Sequence, residues 1–237
     1  ESVQRGGGPV LRFYTWSPAC LSLGRNQPAR GLYDTERAAA AGIDIVRRPT
    51  GGLAVLHDRE ITYCVLGPLD LFGGPRAAYA TINRALVIGL RRIGVGAMQA
   101  VDAGPRGPLG GSPAPCFQSP AAGEVVVRGR KLVGSAQRCE RGALLQHGSI
   151  LLSGSQARVL DLLAGTAPDP RPPDGAITLE ELLGSSPAVP EVVDALCGGF
   201  SETFGTPLAP RVLDDAERVR ADALVDRYRA VEWTWRL

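Results

Sequence analysis

The sequence predicts an α+β fold, a mostly antiparallel mixed β-sheet packed with helices. Two observations carry this. Short β-branched and aromatic runs, bounded by Gly, Pro and Asp, fill roughly the first two thirds of the chain, and helical periodicity takes over from Ser155. Hydrophobic residues make up 44% of the 237, enough to bury a core. Residues 1–237 therefore read as a single domain whose C-terminal part, 155–237, is mainly helical.

The elements follow in order. "LRFYTW" and "LSLGRN" read as two strands joined by the turn "SPAC". "DTERAAAAG" reads as a short helix, capped near Asp34 or Thr35 and stopped by Gly42. "IDIVRRP", "GLAVLHD" and "EITYCVLG" are strands, the last two joined tightly at Asp58-Arg59. Pro75, at a favoured first position, opens a long helix through "PRAAYATINRALVIGLRRIG". "VGAMQAV" is the next strand. Residues 102–120 form a long Gly/Pro-rich loop of the kind that is functional or disordered. "EVVVRGRKLVGSAQ" reads as a hairpin turning near Gly129-Arg130, and "ALLQHGSILL" as the strand after it. "SQARVLDLL", "TLEELLG", "PEVVDALCGGFSETFG" and "DDAERVRADALVDRYRAVEW" are helical patterns, with the Pro-rich connector "TAPDPRPPDG" among them.

Composition narrows the function. A net charge of +2 gives no electrostatic footprint for nucleic acid. No apolar run is long enough to span a bilayer, and no signal peptide is visible. The cysteines at 20, 64, 116, 139 and 197 lack CxxC spacing and stand far from both histidines, so no metal site is expected. Their scatter suits a reducing cytoplasm.

Four motifs carry candidate chemistry. In "RRPTGGLAVLHD" the Gly51-Gly52 step is either a bulge or turn, or a place where a ligand passes close to open backbone N–H groups. Walker and Rossmann spacing is absent. In "GRKLVGSAQ" Lys131 is either an exposed strand lysine or a cation with room beside it, left by Gly134, Ser135 and Ala136. His147 in "LQHGSI" is either a bonded core histidine or a site residue. Cys116 lies in the loop, flanked by Pro113, Pro115 and Pro120, and needs a nearby cation or base to react at neutral pH. Cys64 and Cys197 fall in apolar patterns and read as core.

Five blocks in this order, "RFYTWSPACLSLGRNQ", "RRPTGGLAVLHDREITYCV", "PCFQSP", "GRKLVGSAQ" and "LLQHGSILL", resemble the biotin/lipoate ligase and lipoyl/octanoyl transferase superfamily. The ending "VDRYRAVEWTW" is also similar. Within it the resemblance is nearest to the cysteine-dependent octanoyltransferases of lipoate assembly. That resemblance implies Cys116 and Lys131 as catalytic residues. It implies Arg48, Thr50, Gly51, Gly52, Leu53, His57, Gly134, Ser135, Ala136, His147 and Gly148 as substrate-binding residues.

The implied reaction passes octanoyl from octanoyl-acyl carrier protein to the cysteine. A lysine of a lipoyl domain, such as glycine cleavage H protein or a 2-oxoacid dehydrogenase subunit, then receives it. No cofactor, nucleic acid or membrane is implied. The runners-up are an ATP-dependent lipoate–protein ligase, an amidotransferase between lipoyl proteins, and a silent lipoyl-domain or carrier-binding protein. Gly51-Gly52-Leu53, where ligases usually have three glycines, and Arg59-Glu60, where they have Gly-Asn, favour the transferase.

The superfamily has a strand and helix ahead of "RFYTW". Only "ESVQRGGGPV" precedes it here, so that segment is expected to be missing from the chain as given. Three further expectations concern the site. Gly51-Gly52 and Gly134 to Ala136 line an acyl tunnel. Lys131 has a depressed pKa. Arg128, Arg130, Arg138 and Arg141 either dock acidic carrier domains or form a solvated face.

Overall fold

A computed structural model describes residues 7–101, 117, 121–165 and 175–237. It has two sheets. The six-stranded sheet is antiparallel throughout and runs β1(Val10–Tyr14), β5(Glu60–Pro68), β9(Ala143–Leu151), β8(Arg130–Glu140), β7(Val125–Val127), β6(Met98–Gln99). The smaller sheet runs β3(Ile43–Arg47), β2(Ala19–Leu23), β4(Val55–His57), with β2 and β3 parallel. The α+β expectation holds.

β1 and β2 are not a hairpin. The chain leaves the larger sheet after β1 and enters the smaller one at β2, and it crosses back between β4 and β5. The Asp58-Arg59 turn that makes the second crossing places Arg59 at φ 53°. The β7–β8 turn lies at Arg128-Gly129, one residue before its expected place. Both residues have positive φ, 52° and 75°, the geometry whose twist matches an antiparallel pair. Arg141-Gly142 repeats it between β8 and β9.

One face of the larger sheet packs α2(Pro75–Arg92) and α4(Val189–Phe204). α2 begins at Pro75, as the sequence indicates. The two helices touch backbone to backbone at glycines. A Cβ on Gly89 would lie 2.7 Å from Leu196 Cα, and one on Gly199 would strike the Ala85 carbonyl. A second core joins the smaller sheet to α1(Thr35–Ala40), capped by the Asp34 side chain, and to residues 159–163.

"SQARVLDLL" is a 3-10 segment, Gln156–Leu162, rather than an α-helix. The Gln156 side-chain amide bonds both the N–H and the C=O of Leu56. It pairs with β4 as a strand would, and the backbone tightens to deliver it. α3(Leu179–Leu183), α5(Asp215–Arg229) and α6(Val231–Thr234) complete the helices among the described residues. α5 has no buried residue, and a capping box from Asp214 and Glu217 closes its first turn. No helix among the described residues is long and apolar enough to cross a membrane.

Candidate active site

The loop after β3 is pinned by its own arginine. Arg48, buried, donates through Nη2 to the carbonyls of Gly51 and Leu53, both at 2.7 Å. Through Nη1 it donates to Ser22 O at 2.8 Å and Ser22 Oγ at 3.1 Å. Gly52 has φ 93°, and a Cβ there would lie 2.8 Å from Arg48 Nη2. Gly51 has open space on its Cβ side. The two glycines thus do different things: Gly52 lets the arginine in, and Gly51 leaves the surface bare.

Thr50, also buried, is 2.6 Å from His147 Nε2 through its hydroxyl. The neighbouring Arg47 is fully buried and donates to the carbonyls of Thr234, Gly24 and Gln27. Trp233 Nε1 donates back to Arg47 O at 2.8 Å. The C-terminal "VEWTW" block therefore braces the loop from behind.

His57 lies in a closed buried network. Ser22 Oγ accepts from Arg48, so its single proton points to His57 Nε2 at 2.8 Å. Nε2 is then the acceptor, and Nδ1–H donates to Glu60 Oε1 at 3.2 Å. The Glu60 carboxylate also accepts from Thr62 Oγ1 at 2.6 Å and from Ser149 Oγ. Trp16 stacks on the imidazole at 4.4 Å and donates its indole N–H to Thr62 Oγ1. Both nitrogens of His57 are thus engaged within the protein. Ser22, Glu60 and Trp16 were not picked out as site residues in the sequence.

The strand rows decide which motif residues meet. Tyr63, Gly148 and Ser135 share a row, and Tyr63 is in the helix-packed core. The next rows, Cys64–His147–Ala136 and Thr62–Ser149–Gly134, point to the opposite face. Gly134, Ala136 and His147 therefore share the face of Thr50. Ser135 and Gly148 turn away from it. Ser135 Oγ bonds the Tyr63 hydroxyl at 2.7 Å, and Tyr63 also accepts from Gln146 Nε2 at 2.9 Å. The "GSA" run does not line one surface as expected.

Strict alternation back from Gly134 would send Lys131 into the helix-packed core. A bulge prevents this. Val125 pairs with Val133 and Val126 with Lys131, so Leu132 is an extra residue on β8. Lys131 then lies on the face of Gly134, where a Cβ would be 3.4 Å from Lys131 Cε and 2.8 Å from the Phe117 ring. The ammonium sits 5.1 Å from the centre of that ring and 2.7 Å from Glu124 Oε1. Lys131 is 2% exposed and Glu124 5%. The exposed-edge reading of Lys131 is overturned. Glu124, a lone acid before "VVV", is a residue the sequence reading passed over. Cys116 lies outside the described residues; Phe117 follows it directly in the chain.

Burial pushes His147 down to about 3, helped by the nearby Arg48 guanidinium, so its ring is neutral across the physiological range. It is a poor base at pH 7 and serves as a fixed hydrogen-bonding group to Thr50. Burial raises the thiols of Cys20 to about 12, of Cys64 to about 11, and of Cys197 in the same direction. Cys20 is 2% exposed and Cys64 and Cys197 are half-buried, so the last two are less enclosed than their apolar patterns indicated. Of the four hairpin arginines, Arg130 bonds Glu181 and the Ala176 carbonyl, and Arg138 bonds Glu140 and the Pro49 carbonyl. Arg128 and Arg141 are exposed at their turns.

The fold is that of a lipoate ligase-type catalytic domain, and the comparisons with known proteins show its family. Residues 1–201 match the model of the lipoyl protein ligase A/B catalytic domain, and the chain belongs to that family. It is 41% identical over 239 residues to octanoyltransferase LipM of Kyrpidia tusciae, covering 96% of this chain and 87% of that protein. It is 32% identical over 250 residues to octanoyltransferase LipM of Staphylococcus aureus, covering 99% and 90%. These relatives are acyltransferases.

Among solved structures, lipoate-protein ligase A bound with ATP superposes with a TM-score of 0.80 at 24% identity, over 99% of this chain and 90% of that one. A bi-partite lipoate protein ligase of Thermoplasma acidophilum superposes at 0.75 and 24%, over 99% and 88%. At these identities the likeness establishes the fold.

Proposed function

We propose that the protein is an octanoyltransferase of protein lipoylation that works through a Cys116 thioester. The donor is octanoyl-acyl carrier protein. The acceptor is a lysine of a lipoyl domain, such as glycine cleavage H protein or a 2-oxoacid dehydrogenase subunit, and the compartment is the cytoplasm. One observation carries the reading. Lys131 is the only lysine among the 26 Lys and Arg residues of the sequence, and it is buried on the sheet face of Gly134, Ala136 and His147 rather than solvated. Identity to the octanoyltransferases named LipM supports the acyl group.

In the first step the Cys116 thiolate forms a C–S bond to the octanoyl carbonyl, and the carrier thiol leaves with a proton. In the second the acceptor amine forms a C–N bond as the Cys116 C–S bond breaks, and the thiol recovers the proton the amine gives up. The first exchange is nearly isoenergetic and the amide lies lower, so no ATP is required. A free thiol is only a few per cent ionised at pH 7. A nearby ammonium favours the thiolate, and the same charge stabilises the oxyanion of each tetrahedral intermediate. The raised thiols of Cys20, Cys64 and Cys197 are unsuited to this role. Thr50, Arg48, His147 and the bare backbone at Gly51 then border the acyl group.

Intact-mass analysis after incubation with octanoyl-acyl carrier protein, without nucleotide, tests the reading. The wild type and Cys20→Ala and Cys197→Ala should gain one octanoyl group, and Cys116→Ala none. An adduct on Cys116→Ala would sink the thioester, and a strict need for ATP would return the ligase reading.

A further inference from the structure

We propose that Glu124 is a positioning residue that keeps Lys131 charged and fixed, so that Lys131 acts as a cation and not as a base. This rests on the reading of Lys131 given above. The carboxylate is held before it meets the lysine. Its Oε2 accepts from Ala121 N at 2.7 Å, and its backbone is tied by Ala100 N to Glu124 O at 2.8 Å and Glu124 N to Ala121 O at 3.1 Å. The remaining oxygen, Oε1, meets the ammonium at 2.7 Å. The lysine stem passes Gly134, where a Cβ would strike the Phe117 ring, and Phe117 covers its end.

Burial alone would drive the proton off a lysine, and a carboxylate in contact reverses that. The geometry therefore opposes the depressed pKa expected from the sequence. Three neighbouring ionisable groups among the described residues can be placed. The Tyr63 phenol of β5 is raised by burial and by Glu124 and stays neutral. His147 of β9 is neutral above about 3. Arg130, next to Lys131 on β8, bonds Glu181 and the Ala176 carbonyl. The adjoining segment, residues 175–177, carries no ionisable side chain.

The single lysine makes the test direct. Protein grown on lysine labelled at Cε and Nζ gives one lysine resonance, whose titration reads Lys131 alone. Wild type should stay charged from pH 6 to pH 9.5. Glu124→Gln keeps an acceptor oxygen for Ala121 N, and in it the Lys131 pKa should fall by roughly two units or more, as buried lysines without a counter-charge do. Octanoylation of Cys116 in this variant should match wild type near pH 6 and decline as pH rises, where wild type is flat. Glu124→Asp, which keeps the charge, should retain the flat profile and a charged Lys131.

A Lys131 that is neutral at pH 7 in wild type, or that titrates identically in Glu124→Gln, overturns the proposal. So does a Glu124→Asp variant, the reserve should Glu124→Gln not fold, in which Lys131 is neutral at pH 7. Lys131→Ala separates the two levels. If it acylates and transfers like wild type, the role of Lys131 itself fails. If it is inactive while Glu124→Gln is unchanged in titration and rate profile, only the role of Glu124 fails.

Discussion

The two faces of the β5–β9–β8 rows treat polar side chains differently. On the helix-packed face Tyr63, Ser135, Gln146, Gln137 and Asn83 bond one another, and every one is neutral. On the opposite face the buried groups are ions or their partners: Arg48, Glu60 with His57, and Lys131 with Glu124. A buried amide or hydroxyl network costs little once each member is bonded, whereas a buried charge costs several kcal/mol and needs a partner in good geometry. Among these groups that cost falls on one side, where the neutral His147–Thr50 pair also lies. Adjacent residues of one motif therefore have unrelated duties: His147 belongs to the charged face and Gly148 to the neutral one.

The largest break in this division should come from Gly148→Ala. A Cβ there would lie 2.6 Å from Tyr63 Cε1 and 3.0 Å from Ser135 Oγ, and closer still to the Gly134 carbonyl, which is backbone and cannot swing aside. Overpacking of this kind costs about 3 kcal/mol. For a chain of this size that lowers the melting temperature by about 6–12 °C. Thermal unfolding measures it, and a melting temperature within 2 °C of wild type would mean the rows tolerate a side chain after all.

A middle-sized effect is expected on the charged face, from His147. Its folded pKa is depressed to about 3 from an unfolded value near 6.5, so below pH 6.5 the unfolded state takes a proton that the folded state refuses. The stability from its neutral burial is whole above that value and drains as pH falls toward 3. Between pH 7.5 and pH 5 the loss is up to about 2 kcal/mol, before discounting for the part of the ring that water reaches. His147→Gln removes this linkage, and the other histidine, His57, remains in both proteins. Urea unfolding at the two pH values should show a smaller loss in the variant. Equal losses would mean that His147 is protonated in the fold.

Much of the fold was legible because period-two alternation and turn chemistry are local. The hairpin at Arg128-Gly129 and the helix opening at Pro75 follow from residues near each other in sequence. Which sheet a strand joins is not local. β1 pairs with β5 and β2 with β3, so the apparent hairpin through "SPAC" could not be told from a crossing between sheets. The 3-10 segment depends on Gln156 reaching Leu56, 100 positions earlier.

Of the candidate site residues, Gly134, Ala136, His147 and Lys131 share one sheet face, which Thr50 meets at His147. Ser135 and Gly148 turn away by alternation alone, being next to Gly134, Ala136 and His147; what the bulge at Leu132 hid, since it leaves no mark in an apolar run, was the face of Lys131. Glu124 was hidden because its partner is fixed only once that bulge turns Lys131 over.

The smallest effect should come from Ser135→Ala, and its smallness is informative. Ser135 sits in the "GSA" run beside residues that border the site, yet its hydroxyl meets Tyr63 on the far face. Removing it deletes one neutral hydrogen bond. The Tyr63 hydroxyl still accepts from Gln146 Nε2, while its own proton loses Ser135 as an acceptor, so the cost is about 1–2 kcal/mol. Octanoyl transfer at saturating substrate should be unchanged, with the same pH profile as wild type. Ala136→Ser, one position on and on the row of His147, puts the same hydroxyl on the charged face and should perturb transfer more than stability. Single-turnover transfer alongside thermal unfolding separates the pair. A Ser135→Ala variant that transfers tenfold more slowly while melting like wild type would put Ser135 back on the substrate, and the division between the two faces would not hold at this row.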